Sequence, residues 1–584
     1  LAGLTAALVY VIAIRLPSVS RTGTGTGTGS DPRGAAALGA ALGALTFGFS
    51  ATLWEHAIKF TPYVLTTVFT ALILLTMLRW WQDADHPDAW RWLAVLGLLF
   101  GLDFSVHRTN ALLLPAALAW ILLRNPRALR TPKAWLGGAA GLVAGLAVQL
   151  LLIPIAATTR SPMNFGNPSN WARFWDYVSL QQFGGGFLVE FFPRKADFWS
   201  VQVGDFLHVL GANFFHGALG ALPAFAALFG LAMLCRNNRR LGAAFALAVF
   251  LQGATTVLYF NIPAAFFRPF DRHYLPVCVT IGVLIAYGLA AVMRGVANLV
   301  MARMRIAAAS VAALAVVVPA AQLVTNWDAH DASRRTFARD YAANALEGLP
   351  PNAIYFTVGD NDTFPVLYLQ AVEGVRPDVT IINLSLAAMP SYVEQLRLRD
   401  PSFPMAMTRE ERTALSSRAW RDTTLVIDTV TLRVKLSAGS QTSPTDVTLL
   451  DIVRTNHWRR PITFAITASS SGMRWLEPYG RLDGLFWRIV LVANPPRDIA
   501  ILRANLLQNY EYRGYADPSV RVEEVSRSIG SQYYIALTAL LEAEHAQGAA
   551  DRCRTAASKL VAALPPGRLG MPIGSVVKIT SACN

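Results

Sequence analysis

Tyr274–Met293 reads YLPVCVTIGVLIAYGLAAVM, twenty residues without one charged side chain. A helix that crosses the hydrocarbon layer needs about twenty apolar residues, so this stretch places the chain in a membrane. It is preceded by Asn261–His273 (NIPAAFFRPFDRH) and followed by Arg294, so charge collects at both of its ends.

Similar apolar runs lie on either side of it: Leu1–Val19, Ala35–Leu53, Tyr63–Leu78, Trp92–Phe104, Asn110–Leu123, Ala134–Ala156, Phe214–Leu234, Leu241–Phe260 and Ile306–Val324. About ten spans are expected on this reading. Trp92–Phe104 and Asn110–Leu123 are short for full crossings, and a buried hairpin is the other reading of that pair. Of the 584 residues, 53% are hydrophobic and 15% charged, against about 25% charged in a soluble domain. The long apolar runs end near Val324. Expected domains are therefore a polytopic α-helical membrane part over residues 1–324, a soluble α/β domain over 325–520 and a helical segment over 521–584.

The net charge of +14 does not indicate nucleic acid, because the arginines before Val324 fall in short loops between spans. Alternate loops hold Arg15, Arg21 and Arg33; Arg79 and Arg91; Arg124, Arg127, Arg130 and Lys133; Arg236, Arg239 and Arg240; and Arg294, Arg303 and Arg305. By the positive-inside rule these loops are cytoplasmic, and the Thr158–Ala212 loop and the tail after Val324 are extracytoplasmic. A segment upstream of Leu1 is expected, since the chain is apolar from its first residue. Arg21–Ser30 (RTGTGTGTGS) reads as a flexible linker. Of the four cysteines only Cys553 and Cys583 are placed to pair in an oxidising compartment, and their spacing suggests no metal site.

After Trp327 short β-branched runs alternate with helical segments. Ala353–Val358, a turn at Gly359–Asp362, a helix near Val366–Glu373 and Val379–Leu384 read as a βαβ unit. Further strands are expected at Thr424–Asp428 and Pro461–Ile466, and a helical pair over Arg521–Leu564.

Four constellations could carry chemistry. In Gly101–Pro115 (GLDFSVHRTNALLLP), Asp103 and His107 lie one helical turn apart with Arg108 next; they either shape a site or pin a hairpin. Arg268, Arg272 and His273 precede the decisive span, where cations could hold a lipid-linked phosphate or form an interfacial ion-pair cluster with Asp271. In the long outer loop, Asn164 precedes a stretch in which Trp171, Phe174 and Trp175 recur at helical spacing, suited to sugar stacking or to interfacial anchoring. Asp360 and Asp362 in GDNDTFP (Gly359–Pro365) could bind sugar hydroxyls or a cation, or simply cap a helix. No Walker loop, HExxH or GxSxG stands in a convincing context.

These segments resemble the DUF2723 group, protein O-mannosyltransferase-like members of the GT-C class of membrane glycosyltransferases. The resemblance rests on Gly101–Pro115 with His107, Asn164–Trp175 (NFGNPSNWARFW) and Phe270–Pro276 (FDRHYLP). In the tail it rests on Gly359–Leu386, Arg459–Thr467 (RRPITFAIT) and Asn509–Gly514 (NYEYRG). It implies a GT-C-like helical membrane domain and transfer of a sugar, expected to be mannose, from a polyprenyl-phosphate donor to Ser or Thr of exported proteins, with inversion. The implied setting is a bacterial inner membrane, with the bilayer, the donor and the protein acceptor as partners. No cofactor or metal is assigned.

The resemblance also implies an acidic residue in the first outer loop, expected upstream of Leu1, and another shortly before Tyr63, where this chain has Thr61 and Pro62. Glu55, roughly one and a half helical turns earlier, is the substitute candidate. Asp103, His107 and Glu55 are thus the catalytic candidates, with Arg108, Arg268, Arg272 and His273 for the donor phosphate and Asn164, Trp171, Trp175, Asp360 and Asp362 for sugar or acceptor. A transporter or flippase, or a non-catalytic scaffold, are the rival readings.

Overall fold

The computed structural model describes residues 1–17, 32–158, 164, 166–181, 196–215, 220–266, 268–301, 304–419, 423–427, 430–434, 439–468, 472–572, 574, 577, 581 and 583. The Arg21–Ser30 linker, Thr159–Met163, and the side chain of Arg268 lie outside them. The chain forms two compact units: unit 1 is Leu1–Pro154 with Ser179–Ala332, and unit 2 is Ile155–Val178 with Ser333–Asn584. The division therefore falls at Ala332 rather than near Val324, because the last apolar helix runs on to His330. Unit 2 also takes in Ile155–Val178, the first part of the long segment between α7 and α10.

Through unit 1 the helices, in chain order, are α1 (Ala2–Arg15), α2 (Pro32–Gly48), α3 (Ala51–Ala57), α4 (Tyr63–Asp83), α5 (Trp90–Phe104), α6 (Leu114–Arg124), α7 (Pro132–Leu146) and α8 (Leu152–Thr158), which passes into unit 2 at Ile155. After α9 (Trp171–Val178), which belongs to unit 2, come α10 (Trp199–Phe214), α11 (Ala221–Asn237), α12 (Arg239–Phe260), α13 (Leu275–Met301) and α14 (Arg305–His330). Among the described residues five helical runs are long and apolar enough to cross a bilayer: α4, Pro132–Thr158, α12, Phe270–Val300 and α14. The pair α2 and α3, bent by 66°, makes a sixth if it is one broken span, while α1 and α11 are shorter apolar helices. The protein is thus a multi-pass membrane protein, and among the described residues it has fewer full-length spans than the ten apolar runs suggested.

The decisive stretch of the sequence is the centre of unit 1. In Phe270–Val300, 83% of the apolar window is buried, against 6% in Pro132–Thr158, whose Trp135, Leu136 and Val143 face outward. Lipid is as apolar as leucine, so helices in it associate through close packing of small residues. A Cβ at Gly39 or Gly43 of α2 would collide with the backbone of α13 at Leu289 and Ala286. The same holds for α5 and α7, where Gly97, Gly101, Gly141 and Gly145 let the backbones touch. The short apolar run Trp92–Phe104 is therefore half of a tight helix pair, and the Asn110–Leu123 run splits into a 3-10 turn over Arg108–Leu113 and then α6.

Unit 2 is α/β. Its helices are α9, α15 (Phe337–Gly348), α16 (Gly359–Tyr368), α17 (Pro390–Arg399), α18 (Arg409–Thr413), α19 (Pro444–Asn456), α20 (Ile499–Ala504), α21 (Glu524–Ala546), α22 (Ala550–Ala563) and α23 (Pro566–Leu569). Its strands are β1 (Ile354–Thr357), β2 (Thr380–Asn383), β3 (Arg418–Ala419), β4 (Thr423–Ile427), β5 (Val430–Val434), β6 (Gln441–Thr442), β7 (Ile462–Ala465), β8 (Gly480–Leu482) and β9 (Phe486–Ile489). Five of them form one sheet in the order β2-β1-β7-β9-β8, parallel across β2-β1-β7 and antiparallel beyond. Parallel strands sit where both faces are covered. Accordingly β1 and β7 are buried at every residue; Ile354 and Phe356 enter the core on one face and Tyr355 that on the other.

The expected βαβ unit is present, with one difference: Gly359–Asp362 is the first turn of α16 itself, not a turn ahead of it. The expected helical pair is α21 and α22, and it shares a core with Phe337, Tyr341 and Leu485 rather than standing as a separate segment. Cys553 of α22 is bonded to Cys583 with 5.6 Å between their Cα atoms.

Candidate functional site

The polar residues of unit 1 converge where α3 ends, α4 and α13 begin and α5 gives way to its 3-10 turn. Tyr63, the first residue of α4, lies at the centre. Its ring is 4.8 Å from that of His107, 5.3 Å from His273 and 6.2 Å from His56, and the Arg272 guanidinium lies 4.7 Å above it. His56 Nε2–H donates to Asp271 Oδ1 at 3.0 Å, with both side chains largely withdrawn from water (7% and 19% exposed). Arg272 and His273 follow Asp271 in the short 3-10 segment Arg268–Tyr274, which turns three successive polar side chains toward neighbouring helices.

His107 is fixed by the residue two places on. Its Nδ1 accepts from the backbone N–H of Thr109 at 3.3 Å and from the Thr109 hydroxyl at 2.5 Å, so a neutral ring carries its proton on Nε2. The same hydroxyl lies 3.3 Å from Nδ1 of His273, and this links the two imidazoles through Thr109. Phe260 and Phe270 pack on the other side of His273 at 4.5 and 4.4 Å. Burial, and then the charges of Arg272 and Arg108, push His107 down to about 4. The imidazole is therefore neutral near pH 7, in a positive environment that two arginines create.

Asp103 is fully buried in α5. Its carboxyl lies beside Asn110 and Thr66 without hydrogen-bond geometry to either, while Asn110 is held by Thr70 and by the Thr66 carbonyl. Asp103 has no exposure through which to meet a substrate. Glu55 points elsewhere: its carboxylate pairs with Lys59 at 2.7 Å and is 39% exposed. Neighbouring residues on a helix point about 100° apart, so His56, not Glu55, is the α3 side chain that reaches the cluster. Sequence reading passed over His56 and Asp271 as site residues, although Asp271 stands in the same FDRHYLP motif.

The other candidates lie in unit 2. Asn164 gives its backbone N–H to Gln395 and its amide to Asn167. In α9, Phe174 is the buried aromatic and Trp171 and Trp175 are about 60% exposed, while Arg173 forks onto Glu394 of α17 at 3.0 and 3.1 Å. Asp360 is exposed at the start of α16. Asp362 is buried, accepting from Tyr341 at 3.1 Å and from Thr467. Burial raises its carboxyl above the usual range, and those two hydroxyls offset part of that rise. Asp360 and Asp362 are brought together with Thr467 of the RRPITFAIT motif, which sequence reading had quoted without a role.

Residues 1–130 match the family model described as the protein O-mannosyl-transferase TMEM260 N-terminal domain. Residues 338–413 and 401–504 match that of TMEM260-associated domain 2. Both units thus match models named for TMEM260, and the one matched in unit 1 is described as a protein O-mannosyl-transferase. The name these models carry is TMEM260, not DUF2723. The first match takes in His56, Tyr63, Asp103 and His107, and it supports a membrane glycosyltransferase; the second takes in Asp360, Asp362 and Thr467. No curated protein and no solved structure matches the chain.

Proposed function

We propose that the chain moves a mannosyl group from a polyprenyl-phosphate donor to a Ser or Thr hydroxyl of an exported protein, in the manner of GT-C enzymes, with the chemistry at the Tyr63 cluster. The observation that carries this reading is the placement, on one polar patch at helix ends, of a carboxylate oriented by an imidazole and a guanidinium over an aromatic ring. Asp271 accepts the proton of the attacking hydroxyl as its oxygen bonds to the anomeric carbon. The sugar–phosphate C–O bond breaks, the lipid phosphate leaves with the electron pair, and Arg272 and Arg108 stabilise its charge. Neutral His107 supplies an N–H without adding a third cation, and the backbone carbonyl of Asp103, which accepts from the His107 backbone N–H at 2.7 Å, holds the turn that presents it.

Two observations support the sidedness expected from the loop charges. Trp54 of α3 stacks on His330 at 5.4 Å and meets Trp327 at 6.0 Å, so the end of α14 that leads into unit 2 lies at the end of unit 1 bearing the cluster. The Cys553–Cys583 bond suits an oxidising compartment, hence an extracytoplasmic unit 2. Unit 2 would then meet the acceptor protein on the side where transfer occurs.

The test is reconstitution of the full chain in liposomes with radiolabelled polyprenyl-phosphate mannose and a Ser/Thr-rich acceptor peptide. Label on the peptide is expected. Label that crosses the bilayer while the peptide stays unlabelled would refute transfer and favour a flippase.

A further inference from the structure

Unit 2 contains a crevice that the transfer chemistry does not use. The parallel strands run in the order β2-β1-β7: the chain leaves β1 through α16 toward β2 on one side, and β7 later joins β1 on the other. The direction of winding therefore reverses between β1 and β7. In open α/β sheets, ligands bind at the carboxyl ends of the strands at such a reversal. A cavity of about 140 Å³ lies there, lined from the end of β1 by Val358–Asp362 and from the end of β7 by Thr467. Tyr341 of α15 and Ser528, Ile529 and Gln532 of α21 complete it.

Its lining selects a chemistry. Asp362 forms one wall, held by Tyr341 and Thr467, while among the described residues the side chains of Asp360 and Asn361 have no hydrogen-bond partner. Gly359, at φ +75° with open space where a Cβ would lie, turns the strand into α16 so that these side chains border the cavity. The N-terminus of α16 would favour an anion, but its first turn carries two carboxylates, and these repel phosphate. Among the described residues no three His, Cys, Asp or Glu side chains are grouped to hold a metal. What remains is a neutral ligand rich in hydroxyl donors, with apolar edges for Ile529 and Val358. The volume is below the roughly 300–1,000 Å³ of pockets for drug-sized ligands, so it suits a single ring.

We infer that this crevice is a binding site for one hexose ring, separate from the transfer cluster, whose vicinal hydroxyls bond to Asp360, Asn361 and Asp362. The sugar can come free or as the product displayed on a protein, which would let unit 2 hold an acceptor already mannosylated. The inference goes beyond the transfer reading and does not require it.

The test titrates the detergent-solubilised full chain with methyl α-mannoside and with a mannosylated threonine peptide, with calorimetry as the readout. Saturable 1:1 binding is expected, weakened roughly tenfold or more in Asp360→Asn and in Asn361→Ala, each of which removes hydrogen bonds at an exposed position. Tighter binding of the peptide assigns the site to mannosylated protein, and equal binding assigns it to the sugar alone. Asp271→Asn, which slows transfer by about 10²–10⁴-fold, leaves binding unchanged, so the two ideas fail separately. Absence of saturable binding to either probe, equal affinity in both variants, or displacement of the sugar by calcium ion or inorganic phosphate would overturn the inference.

Discussion

Replacing Asp271 by Asn keeps its volume and its place opposite His56 but removes the proton acceptor. A positioned acid or base contributes about 10²–10⁴-fold, which at 1.36 kcal/mol per decade is roughly 3–5.5 kcal/mol of barrier. His56 acts only through Asp271: it gives one hydrogen bond of 3.0 Å to a carboxylate that is 19% exposed, a bond worth about 1.5–3 kcal/mol when the acceptor is charged. His56→Ala should therefore slow transfer by about 10–150-fold, less than Asp271→Asn. Since His56 has no route to the reaction except Asp271, the double variant should be no slower than Asp271→Asn alone, a strongly non-additive result. The assay is the initial rate of label transfer in proteoliposomes at saturating donor, with donor KM measured in parallel. KM should stay near the parent value in both variants, because neither residue is assigned to the phosphate. If Asp271→Asn transferred at the parent rate while Glu55→Gln did not, the carboxylate would have to be reassigned to Glu55, and the argument from the Lys59 pairing would be wrong.

Arg272→Lys keeps the charge but loses the flat guanidinium above Tyr63 and its fork for phosphate, so donor KM should rise while the protein still folds. His107 has its pKa lowered in the folded state, so the folded protein resists protonation that the unfolded chain accepts near pH 6.5. Its contribution to stability is whole above that pH and is lost as the pH falls toward about 4; His107→Gln should flatten the fall in melting temperature over this window. Gly141→Leu would drive a side chain into the Ala94 carbonyl of α5, and loss of the α5–α7 pair should appear as a lower yield of monodisperse protein in detergent. Reducing the Cys553–Cys583 bond, which spans 30 residues, should destabilise unit 2 by about 2–4 kcal/mol, measured as protease sensitivity after treatment with reductant.

How much was legible in advance depended on the range of the interaction. The apolar run Tyr274–Met293 declared its membrane crossing by length alone, and β1, β2 and β7 declared themselves by β-branched runs, since each signal is carried by adjacent residues. Asp271 and His56 are 215 residues apart in sequence, and no local pattern links them. Glu55 was the choice from sequence because it lies closest to the place before Tyr63 where the resemblance implies an acid; in the fold its neighbour His56 is the α3 side chain that reaches the cluster. In the same way GDNDTFP looked like a turn because Gly, Asp and Asn favour turns, yet Gly359 passes directly from strand to helix.

Composition and periodicity therefore determined the membrane character of unit 1, the α/β character of unit 2 and the segments in which polar chemistry is concentrated. Tertiary structure decided which of those polar residues meet: it joined His56 to Asp271, His107 to His273 through Thr109, and Asp362 to Tyr341 and Thr467. The physical reason is that burial and secondary structure follow from neighbours along the chain, whereas a site is made by helix packing and strand order, and these are set by contacts between residues far apart in sequence.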